Sequence, residues 1–283
     1  MHRVSMTAIL IAGCLLGGCS DSSRVGKAEK GVVRVAVIGG MTMTGLWFEI
    51  TKMFEAESGY KIEVVATGPR PVLAMTMAEG KADLLTMHSG DITTDIVADG
   101  YGINMRPWAH NDLVIIGPPS DPAGIKGMKD GAEAFRRIAE QKANFVDFRG
   151  NGPREVCHKL WRKAGILPEG SWVLKDESGE HVDIAAFAES HNAYTVIGRM
   201  PILFKKKKSK SMEIMVENDP DMQRPYVVME VNPQKFPKAN HAGARALSDF
   251  LVSDKVQQFL TEFGTAEYGG IPLFHPLKAR QRR

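Results

Sequence analysis

The sequence predicts an α/β protein folded as a two-lobed clamshell, the lobes joined by two crossover strands with a ligand cleft between them. Three observations carry that reading. Runs of strand-forming residues alternate with stretches of helical spacing and are punctuated by glycine, a pattern of mainly parallel sheets covered by helices on both faces. Two strong strands stand where the chain would pass between lobes and return: NDLVIIGPP at 111–119, broken by two prolines, and RPYVVMEVNP at 224–233, with prolines at both ends. The stretch 32–277, roughly 245 residues, is long enough for two cores.

The elements follow in order. VVRVAVI at 32–38 is a compact strand ended by Gly39-Gly40. Leu46, Ile50, Met53 and Phe54 recur at helical spacing from a start near Gly45, and Ser58-Gly59 stops that helix before KIEVV at 61–65 alternates as a strand. A short helix over 73–79 closes at Gly80, ADLLT at 82–86 reads as a buried strand, and a helix over 93–99 closes at Gly100. Past the first crossing and a turn at 121–124 come a helix over 131–143, a strand over 144–148, a glycine-rich loop and a helix over 154–164. Strands at 193–197 and 212–216 follow, then the return crossing and helices over 241–251 and 254–262. The expected lobes are 32–116 with 225–277, and 117–224.

The first residues, MHRVSMTAILIAGCLLGGCSDSS, combine a charged start, an apolar run over 6–16 and small residues before Cys19, the pattern of a cleaved export signal over 1–18. The run is shorter than the ~20 residues a spanning helix needs. Leu16-Gly17-Gly18-Cys19 is similar to the lipobox at which a lipoprotein signal is cut and the new N-terminal cysteine acylated, so Cys19 is expected to anchor the chain to a membrane, with 19–31 as a tether. Ile11-Ala12-Gly13-Cys14 has the same form but would leave too short an apolar run. Ser20, where a retention aspartate would stand, gives no sign of inner-membrane retention, and the location is read as periplasmic or cell-surface. Only Cys157 then remains besides the anchor, so no internal disulfide is available.

The formal charge is +3, yet Lys205–Lys210 carries five positive charges and the tail 278–283 four, leaving a mildly acidic body. The two tracts read as a solvated loop and a frayed end rather than a nucleic-acid surface. No Cys-x-x-Cys, His-Glu-x-x-His, Gly-x-Ser-x-Gly or phosphate-loop motif is present, and no set of acid, base and nucleophile is visible, so an enzyme is not expected.

ADGYGINMRP at 98–107 with the crossing behind it and DPAGIKG at 121–127, then LWRKAGI at 160–166, then FGTAEYG at 263–269 with Pro272-Leu273-Phe274, resemble the tungstate-binding proteins of ABC importers. The resemblance spans nearly the whole mature chain. It implies a type II periplasmic-binding-protein fold that delivers a bound oxyanion to an ABC permease in the inner membrane, without a cofactor and as a monomer. The ligand motifs depart from the family. Its Thr-Thr-Thr-Ser run after the first strand falls here on Val37-Ile38-Gly39-Gly40, with every side-chain hydroxyl missing. Its Arg-Gly-Asp-x-Ser-Gly-Thr-His loop appears as Arg149-Gly150-Asn151-Gly152-Pro153-Arg154, shorter and without serine or threonine. The family's valine- or isoleucine-histidine element survives as Met87-His88-Ser89.

An oxyanion site needs converging N–H and O–H donors and little negative charge. Gly40 lets the backbone approach, and a helix start near Gly45 would offer free amides. Thr42 and Thr44 are candidate ligands in place of the missing hydroxyls; the competing reading makes Thr44 an N-cap and Thr42 a loop residue. His88 and Ser89 end a strand on the same side. Arg149 and Asn151 would reach the cleft from the second lobe, with Arg149 the favoured single residue. Arg154 opens a helix, an unfavourable place for a structural cation. Arg199 matches the arginine of the family's Thr-Asp-Arg-Gly-Thr stretch. His88 with Asp91 and Cys157 with His158 could be metal or nucleophile pairs, but adjacent helical residues diverge, and a lone cysteine is usually core. Met41, Met43, Met75, Met77 and Met87 could line a pocket or fill the core. The function read from all this is an exported solute-binding lipoprotein capturing a small, tungstate-like oxyanion. The alternatives are the same fold binding another organic anion, or a regulatory binding lipoprotein outside transport.

Overall fold

A computed structural model describes residues 30–147, 152–175, 183–204, 210–268 and 270–277. The expected signal, Cys19, Arg149, Asn151, most of the lysine tract and the basic tail lie outside the described residues.

The first lobe starts with β1 (Val32–Ile38), which passes through a short α1 (Gly39–Met43) into α2 (Leu46–Ser58). Gly45 and Gly59, both left-handed at φ 80 and 82, bound α2, since a side chain is disfavoured there. β2 (Lys61–Gly68), α3 (Arg70–Ala78), β3 (Leu84–His88) and α4 (Asp91–Ala98) repeat the strand-helix alternation. β1 lies between β2 and β3, parallel to both, and Val33 to Val37 point largely inward because helices cover both faces.

β4 (Gly102–Gly117) is a single strand shared by the two lobes. Its first half pairs antiparallel with β9 (Gln223–Val231), and its second half pairs with β7 (Thr195–Gly198) and β8 (Glu213–Val216). The strand starts well before the expected 111, running through Pro107. That proline sits beside a register shift between Pro107 and Ala109, where a ladder tolerates a residue without an N–H. The sheet of the first lobe is mixed, in the order β10 (His275–Pro276)-β4-β9-β3-β1-β2, not mainly parallel as expected. The cause is topological: a strand returning from the other lobe must run against β4, and β9 inserts between β3 and β4, antiparallel to each.

The second lobe holds α5 (Gly131–Glu140), β5 (Phe145–Asp147), α6 (Pro153–Ala164), β6 (Val173–Lys175), α7 (Ile184–Ser190) and α8 (Arg199–Leu203). One face carries an aromatic layer, with ring centroids of Phe135 and Trp161 4.2 Å apart and those of Phe145 and Trp161 5.2 Å apart. Such pairs add about 1 kcal/mol each beyond their burial. The small side chains of α7 cover the other face through Ile184, Ala185 and Ala188. Cys157 packs into the aromatic layer and burial pushes its thiol pKa up, so it is a core residue, while His158 faces outward. The chain returns to the first lobe through β9, α9 (His241–Leu251), α10 (Asp254–Glu262) and β10 (His275–Pro276) around fully buried Trp108, Tyr226 and Phe274. No helix among the described residues is long and apolar enough to cross a membrane.

Candidate functional site

The parallel strands β1, β2 and β3 deliver their carboxyl ends to one edge of the first lobe, the place where open sheets bind ligands. Arg70, the first residue of α3, is buried there beyond the end of β2, and Arg224 is buried in β9. The two share one carboxylate. Glu155, in the first turn of α6 of the other lobe, accepts from Arg70 Nη2 on Oε1 at 3.2 Å and from Arg224 Nη2 on Oε2 at 3.0 Å. Arg70 Nη1 also reaches Asp91 Oδ1 at 3.5 Å, an exposed contact. Glycine makes room for both guanidinium groups: a Cβ on Gly90 would stand 2.5 Å from Arg70 Nη1, and one on Gly152 2.6 Å from Arg224 Nη1.

Beside this pair, His88 at the end of β3 is the register partner of Tyr226 in β9 and stacks on it with ring centroids 4.1 Å apart. His88 Nε2 lies 3.2 Å from Asn111 Oδ1, an arrangement satisfied by a neutral ring that donates from Nε2. The ring keeps some accessible surface, but packing on most sides strips its water. That burial, with the positive charges of Arg224 and Arg70, pushes its pKa down to about 3, so it is neutral near pH 7. Burial raises the Tyr226 pKa and keeps the phenol protonated, with its oxygen 3.7 Å from where a Cβ on Gly40 would stand. Burial lowers the Arg224 pKa, Glu155 opposes that shift, and Arg70 adds to it. Two buried cations that share the Glu155 carboxylate, with a neutral imidazole and a protonated phenol beside them, are the chemistry of an anion site.

A profile of the family described as bacterial extracellular solute-binding protein matches residues 34–266. The chain belongs to that family. The tungstate-binding protein TupA of Peptoclostridium acidaminophilum is 32% identical, over 97% of this chain and 98% of its own length. A putative ABC transporter anion-binding protein of Haloferax volcanii is 31% identical, over 91% of this chain and 75% of its own. Among solved structures, the tungstate-binding protein TupA from Desulfovibrio alaskensis superposes with a TM-score of 0.73 at 25% identity, covering 87% of this chain and 99% of that one. The family binds solutes and does not turn them over, so this solute-binding protein is not an enzyme.

Within this solute-binding protein the residues singled out from sequence fall into three groups. Gly40, His88 and Ser89 lie at the strand ends around Tyr226 and Arg224, with Ser89 N–H donating to the Pro225 carbonyl at 2.9 Å. Arg149 and Asn151 lie outside the described residues and precede Gly152 in the chain. The rest are engaged elsewhere. Thr42 Oγ1 donates to the Gly39 carbonyl at 3.0 Å and meets Thr67 Oγ1 at 3.0 Å. Thr44 is not the N-cap of α2. It caps the C-terminus of α1, donating to the Gly40 carbonyl at 2.9 Å, because the left-handed Gly45 ends one helix and starts the next. Arg154 points along its own helix, with Nε 3.4 Å from His158 Nε2. Arg199 belongs to a separate buried cluster, near Glu217 Oε2 at 3.6 Å and Asp112 Oδ2 at 3.9 Å, and Asp112 also meets His275 Nε2 at 2.6 Å. Met41, Met77 and Met87 are core, whereas Met43 and Met75 are exposed. Among the described residues no group of three or more His, Cys, Asp or Glu side chains is placed to hold a metal.

Sequence reasoning missed Arg70, Glu155, Arg224 and Tyr226. One signal was available. Arg70 directly follows Pro69 at a helix start, and a cation in the first turn opposes the helix dipole, the same misfit noted for Arg154.

Proposed function

We propose that this protein is the exported, lipid-anchored solute-binding component of an ABC importer and captures a small tetrahedral oxyanion, with tungstate the first candidate. The observation that carries the reading is the buried Arg70–Arg224 pair, converging at the carboxyl ends of the sheet opposite the start of α6. Guanidinium forks supply paired N–H donors in the geometry an oxyanion accepts, and the protonated Tyr226 phenol beside them adds no negative charge. The likeness to tungstate-binding relatives supports the choice of ligand, and their ABC transporter context supports a permease partner in the inner membrane. In this reading Gly40, His88, Ser89, Arg149 and Asn151 complete the site, the lobes divide at 116/117 and 224/225, and a monomer held through Cys19 works in the periplasm or at the cell surface.

Isothermal titration of the purified protein with tungstate, molybdate, sulfate and phosphate tests the ligand. Heat with tungstate or molybdate is expected, and no heat with any of the four overturns the oxyanion reading. Intact-mass measurement of the mature protein tests the anchor, since an acylated Cys19 adds the mass of its lipid. The alternative of a larger organic anion is favoured by the replacement of the hydroxyl run by Val37-Ile38-Gly39-Gly40, and a bound-ligand mass spectrum separates the two.

A further inference from the structure

Glu155 is out of place in an anion site. A carboxylate only accepts hydrogen bonds, so beside a bound oxyanion it would be repelled and would consume donors the ligand needs. Yet it takes one N–H from each buried arginine. The three partners differ in exposure: the Arg70 and Arg224 side chains are 7% and 9% exposed and Glu155 is 43% exposed. The arginines are set in the protein beside Gly90 and Gly152, where a Cβ would stand 2.5 Å from Arg70 Nη1 and 2.6 Å from Arg224 Nη1. The carboxylate reaches them from the wet side, on a short stem from the first turn of α6, and it crosses between lobes to do so.

Resting on the oxyanion reading above, we propose that Glu155 is the ligand's internal competitor, an occupant that holds the Arg70–Arg224 pair until an anion displaces it into water, and so sets how strongly an anion must bind to enter. The proposal defines the ligand class. A monoanion that replaces the carboxylate exchanges one unit charge for another between the same two cations and gains little. A dianion matches both cations and gains the difference where charges are poorly screened, since Asp91, the other carboxylate at Arg70, is 77% exposed and 3.5 Å away. The site is therefore built for doubly charged tetrahedral oxyanions such as tungstate, and rejects singly charged ones of the same shape such as perrhenate. The same contact ties α6 of the second lobe to α3 and β9 of the first, so an anion must break this bridge before it makes its own.

The test is titration of the mature protein and of its E155Q and E155A variants with tungstate, and with perrhenate by displacement of tungstate, with thermal melts as the folding control. The unaltered protein is expected to bind tungstate at least about a hundredfold more tightly than perrhenate. Both variants are expected to bind both anions more tightly, by one common factor on the order of tenfold, the size of a typical coupling between competing occupants. A common factor is the signature of a carboxylate that leaves. Tungstate affinity unchanged or weakened in both variants would show that Glu155 is not in the ligand's way and would overturn the proposal. A gain much larger for tungstate than for perrhenate would also overturn it, because the carboxylate would then remain beside the bound anion. Tungstate binding by the unaltered protein keeps the oxyanion reading standing in either case; binding by none of the three removes that reading and this proposal together.

Discussion

Arg70 at the start of α3 and Arg224 in β9 grip opposite oxygens of the same carboxylate, although the two lie 85 and 69 residues from it along the chain. Two like charges held this close are costly without an anion beside them; Glu155 is the carboxylate both share, and Asp91 lies 3.5 Å from Arg70 alone. If a ligand takes its place, each arginine becomes a charge-assisted donor to that ligand. Replacing either by alanine is then expected to weaken tungstate binding by about 2 kcal/mol, roughly thirtyfold, measured by titration calorimetry. Far-ultraviolet circular dichroism should show the fold retained.

Gly152 offers a gentler probe of the same geometry. Its φ of −89 is open to any residue, but a Cβ would stand 2.6 Å from Arg224 Nη1. Gly152→Ala should push the guanidinium aside, weakening anion binding several-fold while changing stability by about 1 kcal/mol. Paired titration and thermal unfolding check this, and an unchanged affinity would place Arg224 outside the ligand's reach.

The hydroxyls of Thr42 and Thr44 give a contrasting expectation. Their protons are committed to the Gly39 and Gly40 carbonyls, so neither is a free donor. Thr42→Val and Thr44→Val should each lower stability by about 1 kcal/mol and change tungstate affinity less than about threefold. A tenfold loss of affinity in either would restore that threonine as a ligand contact.

His88 makes stability depend on pH. Its folded pKa is depressed to about 3, below the ~6.5 of an unfolded histidine, by burial and then by Arg224 and Arg70. Above about 6.5 the ring is neutral in both states and its contribution is fully present. As pH falls from 6.5 toward 3 the unfolded chain binds a proton that the folded one refuses, and stability is lost at up to about 1.4 kcal/mol per pH unit. Denaturant unfolding at pH 6.5 and 5.0, above the range where carboxylates dominate, should show this slope in the unaltered protein and a flatter one in His88→Gln.

Much of the fold is legible from local pattern. The apolar run 32–38, the helix closed at Gly59, the buried strand before His88 and the proline-flanked return strand were visible because each follows from backbone sterics and hydrophobic period within a few residues. The reach of β4 back to Gly102 was not, since Pro107 reads as a breaker unless the partner strand supplies a bulge beside it. The candidate site was half legible. Gly40, His88 and Ser89 were marked by lying at strand ends, whereas Arg224 read only as the first residue of a crossing.

By itself, then, the sequence determined which segments form strands and helices, and that the chain visits a second lobe and returns. Those properties depend on interactions between near neighbours. The tertiary structure alone decided that β9 runs back between β3 and β4, which sets Tyr226 against His88 and brings Arg224 and Arg70 onto one carboxylate of the other lobe. Convergence of like charges cannot be read locally, because its cost is offset only by groups distant in the chain that the fold places between them.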